Sequence, residues 1–223
     1  MPAEISCIIY DMDGLLLDTE GIYTEVTQEI VAEYGKVFDW TIKKKIIGRR
    51  SIQAAQIIVE SLDLPISPQD YLDSRKDVLL AGFRAPQALP GAKELTTHFF
   101  KHGIPQALAT SSSSPMYEAK YEKHKKWFSQ FKQIVRGDDP ELKEGKPAPD
   151  IFLIAAKRLG VEPAECLVFE DAPSGMEAAL AAGMSVVVVP DPNMDHSQYQ
   201  NASQIISSLE NFDPEYWGLP SLN

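Results

Sequence analysis

Residues Ile5–Asp18 read ISCIIYDMDGLLLD. The run Ile5–Tyr10 is almost continuously apolar and rich in β-branched residues. A strand covered on both faces needs that pattern, since neither side of it meets water. The run stops at Asp11, Asp13 and Gly14. In open parallel sheets, ligands sit beyond the carboxyl ends of the strands, so two acids placed there point toward the expected crevice.

Four more short runs follow the same logic: Gln106–Ala109, Gln133–Val135, Leu167–Phe169 and Val186–Val189. Helical patterns alternate with them. Ala92–His102 stops at Gly103, Pro149–Leu159 at Gly160, and Pro173–Ala182 at Gly183. Proline in a first turn and glycine just past the last are the usual helix boundaries. Strand and helix in alternation predict an α/β fold, a doubly wound parallel-sheet core of the Rossmann-like kind.

One stretch interrupts the alternation. From Asp18 to Pro86 the pattern is helical, with Ile22, Val26 and Ile30 on one face. Ile52, Ala55, Gln56 and Val59 mark a second face, widened by Ile57 and Ile58. We therefore expect an inserted all-helical cap domain at 18–86. The α/β core is expected at 1–17 and 87–223, with hinges at Gly14 to Leu17 and Ala85–Gly91.

Composition narrows the function. The 223 residues are 44% hydrophobic and 24% charged, as in folded globular chains and unlike disordered or fibrous ones. The formal charge of −11 argues against nucleic acid and anionic membrane surfaces as partners. The basic run Lys120–Lys126 (KYEKHKK) is expected to be a solvated helix face, with Trp127 and Phe128 packing on the core. Cys7 and Cys166 are expected as buried free thiols. With no leader pattern and no apolar run near the roughly 20 residues a bilayer requires, the expected location is cytoplasmic.

Chemistry gathers at the strand ends. Asp11 and Asp13 could be loop acids capping a helix, or ligands. The calcium-loop pattern fails, because Leu15 stands at its fifth position and Gly14 comes too early. Glu170 and Asp171 repeat the acid pair after another strand, where N-capping is the plainer alternative. Two like charges at about 4 Å repel by roughly 4 kcal/mol at an effective dielectric near 20. Carboxylates brought together must protonate, stand apart or hold a cation, and an all-oxygen set suits Mg²⁺. Thr110 and Ser111 sit where hydroxyls and backbone N–H groups can hold a phosphate oxygen, although both are ordinary turn residues. Lys146, in Gly145-Lys-Pro-Ala-Pro149, is either a solvated loop lysine or an anion clamp aimed by its prolines.

Read in order, Asp11-Met-Asp-Gly14, Ala109-Thr-Ser111, Gly145-Lys-Pro-Ala-Pro149 and Phe169-Glu-Asp-Ala172 resemble the four motifs of the haloacid dehalogenase-like hydrolase superfamily. The resemblance implies a phosphoric monoester hydrolase with Asp11 as nucleophile and Asp13 as acid and base. It implies Mg²⁺ on Asp11, the Asp13 carbonyl and Asp171, with Glu170 orienting Asp171 from behind. Thr110, Ser111 and Lys146 would hold the phosphoryl group. The cap loop Ile47-Gly48-Arg49-Arg50 would read the substrate through Arg49 or Arg50. The implied partner is a small phosphorylated metabolite, met by a monomer.

Longer segments resemble the pseudouridine-5′-phosphatase branch of that superfamily: Asp11–Glu20 (DMDGLLLDTE), His102–Ser112 (HGIPQALATSS), Gly137–Glu141 (GDDPE), Cys166–Pro173 (CLVFEDAP) and Gly218-Leu-Pro-Ser221. This implies pseudouridine 5′-phosphate as substrate, with other sugar or polyol phosphates as the alternative. A sugar-phosphate mutase is weakened by Tyr23, which stands after Asp18-Thr19 where such enzymes often carry His. An idle binding protein is disfavoured by the completeness of the four motifs.

Overall fold

The computed structural model describes residues 4–47, 49, 51–83 and 86–222. Strand β1 (Cys7–Tyr10) leads through a tight turn to the two-residue strand β2 (Leu17–Asp18). Four helices follow: α1 (Glu20–Ala32), α2 (Trp40–Ile46), α3 (Ser51–Leu62) and α4 (Pro68–Gly82). The chain returns at β3 (Gln87–Ala88), which pairs antiparallel with β2. Both crossings between sheet and helices thus run through one short ribbon.

The remainder alternates: α5 (Ala92–Lys101), β4 (Gln106–Ala109), α6 (Ser114–Tyr121), α7 (Lys125–Phe128), β5 (Gln133–Val135), α8 (Asp150–Leu159), β6 (Cys166–Glu170), α9 (Pro173–Ala181), β7 (Ser185–Val188) and β8 (Gln204–Ile205). The predicted strands and helices are present within a residue or two. Gly103, Gly160 and Gly183 all have positive φ at the predicted helix stops. The strands β2, β3 and β8 were not read from sequence, since two residues are too few to show a period.

The six-stranded sheet has the order β5-β4-β1-β6-β7-β8, with every pair parallel. From β1 the chain winds outward through β4 to β5, then crosses back to β6 on the other side of β1. The winding direction reverses between β1 and β6, which opens a crevice at their carboxyl ends. Both faces of the sheet are covered. Ile8, Tyr10, Leu108, Phe169 and Val187 point into one core, and Cys7, Ile9, Ala107, Val168 and Val186 into the other. This is the period-2 alternation of a strand, with an apolar layer on each side.

The helices between β2 and β3 bury a separate core around Val26, Ile30, Phe38, Ile58, Tyr71 and Phe83. On α3 the buried face is Ala54, Ala55, Ile58 and Val59, while Ile52 is 47% exposed and Gln56 is also exposed. The expected face was therefore rotated. The small Ala54 and Ala55 let α3 approach its neighbours α2 and α4; Ala55 lies on the expected face and Ala54 does not. Local signals set the boundaries: Asp39 caps α2 by accepting from the Ile42 N–H, and Ser67 with Asp70 closes a reciprocal capping box on α4.

The turn after β6 packs unusually close to α9. The Glu170 carboxylate accepts from the N–H groups of Asp171 and Ala172 and lies against Gly175. A methyl at Gly175 would overlap that carboxylate. Alanine is the better helix former by about 1 kcal/mol. The overlap should outweigh this, so Gly175→Ala is expected to destabilise the protein by about 1–3 kcal/mol, read as a lower urea midpoint.

Candidate active site

Strand register assembles the site. Tyr10 lies level with Phe169 on one side and Leu108 on the other. The next residues of the three strands, Asp11, Glu170 and Ala109, therefore share a row at the sheet edge. Met12 is fully buried in the core, so Asp11 and Asp13 flank an inward side chain. Gly14 has φ 81°, and a Cβ there would overlap Asp171 Oδ2. Only glycine lets the turn after β1 lie this close to the loop after β6.

Lys146 reaches the centre of this row. Its Nζ donates to Asp11 Oδ1 at 2.5 Å, Glu170 Oε1 at 2.6 Å and the Ala109 carbonyl at 3.1 Å. All three ammonium protons are engaged, and the side chain is 6% exposed. Burial pushes the Asp11 carboxyl up, with Lys146 opposing and Glu170 and Asp13 reinforcing, to about 7. Asp171 is raised well above the usual carboxylate range by burial and by the charges of Glu170 and Asp11. Its backbone carbonyl accepts from the Tyr199 hydroxyl at 2.9 Å.

Asp13 is held differently. Its carboxylate accepts from Lys120 Nζ at 2.5 Å, Thr19 Oγ1 at 2.8 Å, Ser112 Oγ at 2.8 Å and Thr110 Oγ1 at 3.4 Å. Burial pushes this carboxyl up, but Lys120 and the hydroxyls outweigh it and hold it below its usual value. Lys120 also donates to Ser112 Oγ and to the Tyr23 hydroxyl, and lies 4.2 Å from the Phe83 ring centroid.

This corrects the sequence reading of Lys120–Lys126 as a solvated face. Lys120 is fully buried and its ammonium serves the site. The signal was its spacing: Tyr117, Lys120, His124 and Trp127 recur every three or four residues and all are buried. Trp127 and Phe128 pack in the core as expected. Cys7 and Cys166 are free, buried and in register across β1 and β6, with sulfurs 3.1 Å apart.

Two cavities meet here. A chamber of about 110 Å³ is lined by Asp11, Lys146, Glu170 and Asp171. A larger cavity of about 570 Å³ runs from Ser111 and Ser112 into the helical unit, past Phe38, Ile46 and Leu79. Asp13, Glu20, Ile47, Arg49 and Ser111 line both and form the neck between them. Thr110 is fully buried and lines neither cavity; its hydroxyl donates to Asp13 and accepts from the Ser112 N–H. Arg49 is exposed at the neck, and Arg50 lies outside the described residues. Glu20 and Lys43, both overlooked in the sequence, reach the larger cavity.

Among the described residues no three carboxylate, histidine or thiol side chains form a cage of their own. Magnesium does not need one. It commonly takes one or two carboxylates and completes its shell with water and phosphate oxygens. Asp11 and Glu170 share Lys146, Asp13 has Lys120, and Glu20 has Lys43. Among the described residues, no lysine or arginine forms an ion pair with Asp171. A half-buried carboxylate that faces the same chamber as Asp11 and has no ion-pair partner of its own fits a divalent cation.

The sequence model of the haloacid dehalogenase-like hydrolases matches residues 5–183. The chain belongs to that family. It is 48% identical over 221 residues to (DL)-glycerol-3-phosphatase 2 of Arabidopsis thaliana, covering 97% of this chain and 92% of that one. It is 43% identical over 221 residues to the "Probable pseudouridine-5′-phosphatase" of Drosophila melanogaster, covering 98% and 96%. The crystal structure of CbbY from Rhodobacter sphaeroides in complex with phosphate superposes with a TM-score of 0.77 at 25% identity, covering 93% and 96%. With phosphatases of this family matching along nearly its whole length, the enzyme is a phosphatase. Among its described residues no helix is long and apolar enough to cross a membrane.

Two predictions follow from the charges. Asp11 and Asp171 hold protons more tightly folded than unfolded. In metal-free protein their effect is to lower stability as pH rises from the unfolded carboxylate value of about 3.9 through about 7. The depressed Asp13 acts in the opposite sense but below that window. Urea midpoints in EDTA should be lower at about pH 8 than at about pH 5, and Asp11→Asn should shrink the difference. Separately, Lys120→Met strips a buried carboxylate of its partner. Equilibrium unfolding should show a loss near 3 kcal/mol, the low end for a broken buried pair, because the Asp13 side chain keeps 18% exposure.

Proposed function

We propose that this enzyme is a Mg²⁺-dependent phosphomonoester hydrolase that works through an aspartyl-phosphate on Asp11, with pseudouridine 5′-phosphate as its substrate. The observation that carries the reading is the pairing of a small charged chamber with a much larger, partly apolar cavity. The chamber suits a phosphoryl group. A cavity of this volume falls in the range of about 300–1,000 Å³ that takes drug-sized ligands, and a nucleoside matches it better than glycerol does. Glycerol 3-phosphate, or another polyol phosphate, is the second reading, favoured by the 48% identical relative.

In the first step a carboxylate oxygen of Asp11 attacks phosphorus in line, and the bond to the ester oxygen breaks. Asp13 gives the departing alkoxide its proton. In the second step Asp13 takes a proton from water, the water oxygen attacks phosphorus, and the bond to Asp11 breaks to release phosphate. The contact with Lys120 suits the second step, since it favours the carboxylate form. An arriving phosphate dianion raises the proton affinity of Asp13, as any like charge does, and so prepares the first.

Lys146 neutralises Asp11 and offers its charge to the phosphoryl oxygens, Ser111 at the neck supplies a hydroxyl contact, and Thr110, expected to do the same, acts from behind through Asp13 and the Ser112 N–H. Asp11, Asp171 and the Asp13 carbonyl would hold Mg²⁺, with Glu170 fixing the Asp171 loop. The ion supplies positive charge against the dianion and its transition state. Arg49, with Arg50, would meet the leaving group from a cap of residues 18–86, over a core of 1–17 and 87–223. One chain supplies every group named, which suits a monomer. Two reduced thiols side by side suit a cytoplasmic location.

A phosphate-release screen over pseudouridine 5′-phosphate, glycerol 3-phosphate and sugar phosphates in Mg²⁺ tests the reading. Pseudouridine 5′-phosphate is expected to give the highest kcat/KM. EDTA should stop turnover and Mg²⁺ restore it. Asp11→Asn should lower kcat by about 10⁴-fold or more. Turnover retained in that variant would remove Asp11 from its role.

A further inference from the structure

The neck between the two cavities holds a charge that a phosphate site should reject. Glu20, the first residue of α1, lines both cavities. Burial raises its carboxyl, Lys43 opposes this, and Asp13 reinforces it. A carboxylate beside an incoming dianion repels it unless it accepts a proton-bearing group from the same molecule. A phosphate ester carries such a group only on its alcohol part.

The surroundings fix where that group would lie. Lys43 Nζ stands 3.5 Å from Glu20 Oε2 and donates to Thr24 Oγ1 at 2.9 Å. Thr24 in turn donates to the Glu20 backbone carbonyl at 2.8 Å, and Lys43 lies 5.8 Å from the Trp40 ring centroid. The ammonium is anchored on two sides, yet its separation from the carboxylate is longer than a close charge-assisted hydrogen bond. A hydroxyl is suited to that gap, since it can donate to Glu20 and accept from Lys43 at once. Thr19, immediately before Glu20, donates to Asp13. The pair therefore sits one residue along the chain from the contact that holds the acid–base group.

We infer that Glu20 and Lys43 form a hydroxyl-reading pair, selecting phosphate esters whose alcohol carries a hydroxyl on the second or third carbon from the ester oxygen. Glycerol 3-phosphate presents one on the second carbon, and the ribose of a nucleoside 5′-phosphate on the third. The inference rests on the hydrolytic reading above and adds the element that tells a polyol or ribose ester from a plain alkyl ester.

The test compares glycerol 3-phosphate with propyl phosphate, which has the same carbon count and no hydroxyl. Pseudouridine 5′-phosphate is run alongside. Wild-type enzyme is expected to favour the hydroxylated esters in kcat/KM by tenfold or more. In Glu20→Gln and Lys43→Met the ratio of glycerol 3-phosphate to propyl phosphate should fall by about 10- to 100-fold, the worth of a hydrogen bond to a charged group. A ratio unchanged in both variants would overturn the inference and leave the hydrolase standing. So would equal losses on both esters, which would assign the pair to the phosphoryl end. Wild-type enzyme releasing phosphate from none of the three would instead overturn the hydrolytic reading, and this inference with it.

Discussion

A buried ammonium between two carboxylates organises this molecule. Lys146 comes from the loop before α8, Asp11 from the end of β1 and Glu170 from the end of β6, and each alone would be costly to bury. Together they are compensated. Asp11 and Glu170 share one cation, and Glu170 spends its second oxygen on two backbone N–H groups of the following turn. The arrangement ties the winding reversal of the sheet, the loop bearing Asp171 and the close approach of α9 into one unit. Asp11 is left beside a strong positive charge, while Asp171 alone among the neighbouring carboxylates forms no ion pair with a lysine or arginine of the described residues.

Sequence made this centre legible because it is built from strand ends. A buried parallel strand shows itself as an unbroken apolar run, and its first polar residue stands at the carboxyl edge. Asp11, Thr110 and Glu170 are such residues. Lys146 was legible only through its order among the other motifs, since nothing in GKPAP separates a solvated lysine from a buried one. Lys120 was misread because five basic or acidic neighbours in a short run look like a water-facing surface. The fold decided otherwise. Two positions in that run, Lys120 and His124, point inward, and the cost of burying the lysine is offset by an aspartate 107 residues away in sequence. Contacts of that range leave no local trace.

The helical unit was less legible for a related reason. Its helices follow each other, but their packing depends on small residues such as Ala54 and Ala55, which carry little weight in an apolar periodicity. Glu20 and Lys43 show the same difficulty in the site. They are 23 residues apart on different helices, and neither stands in a recognisable spacing. Their meaning comes from the cavity they share.

That cavity divides the labour physically. In the proposed reaction the groups that act on phosphorus sit at the sheet edge, where the Asp11 N–H donates to the Phe169 carbonyl. The groups proposed to meet the alcohol come from α1 and α2, outside the sheet and joined to it through a two-residue ribbon. Asp13 belongs to both sets, since Thr19 at the start of α1 and Lys120 on α6 grip the same carboxylate. Lys120 also touches Tyr23 and Phe83 of the helical unit, so the Asp13 carboxylate is fixed from the sheet side and the helical side together. Chemistry that depends on one rigid edge can then stay constant while recognition is changed on the helices. The constraint is that any change on α1 must preserve the grip on Asp13.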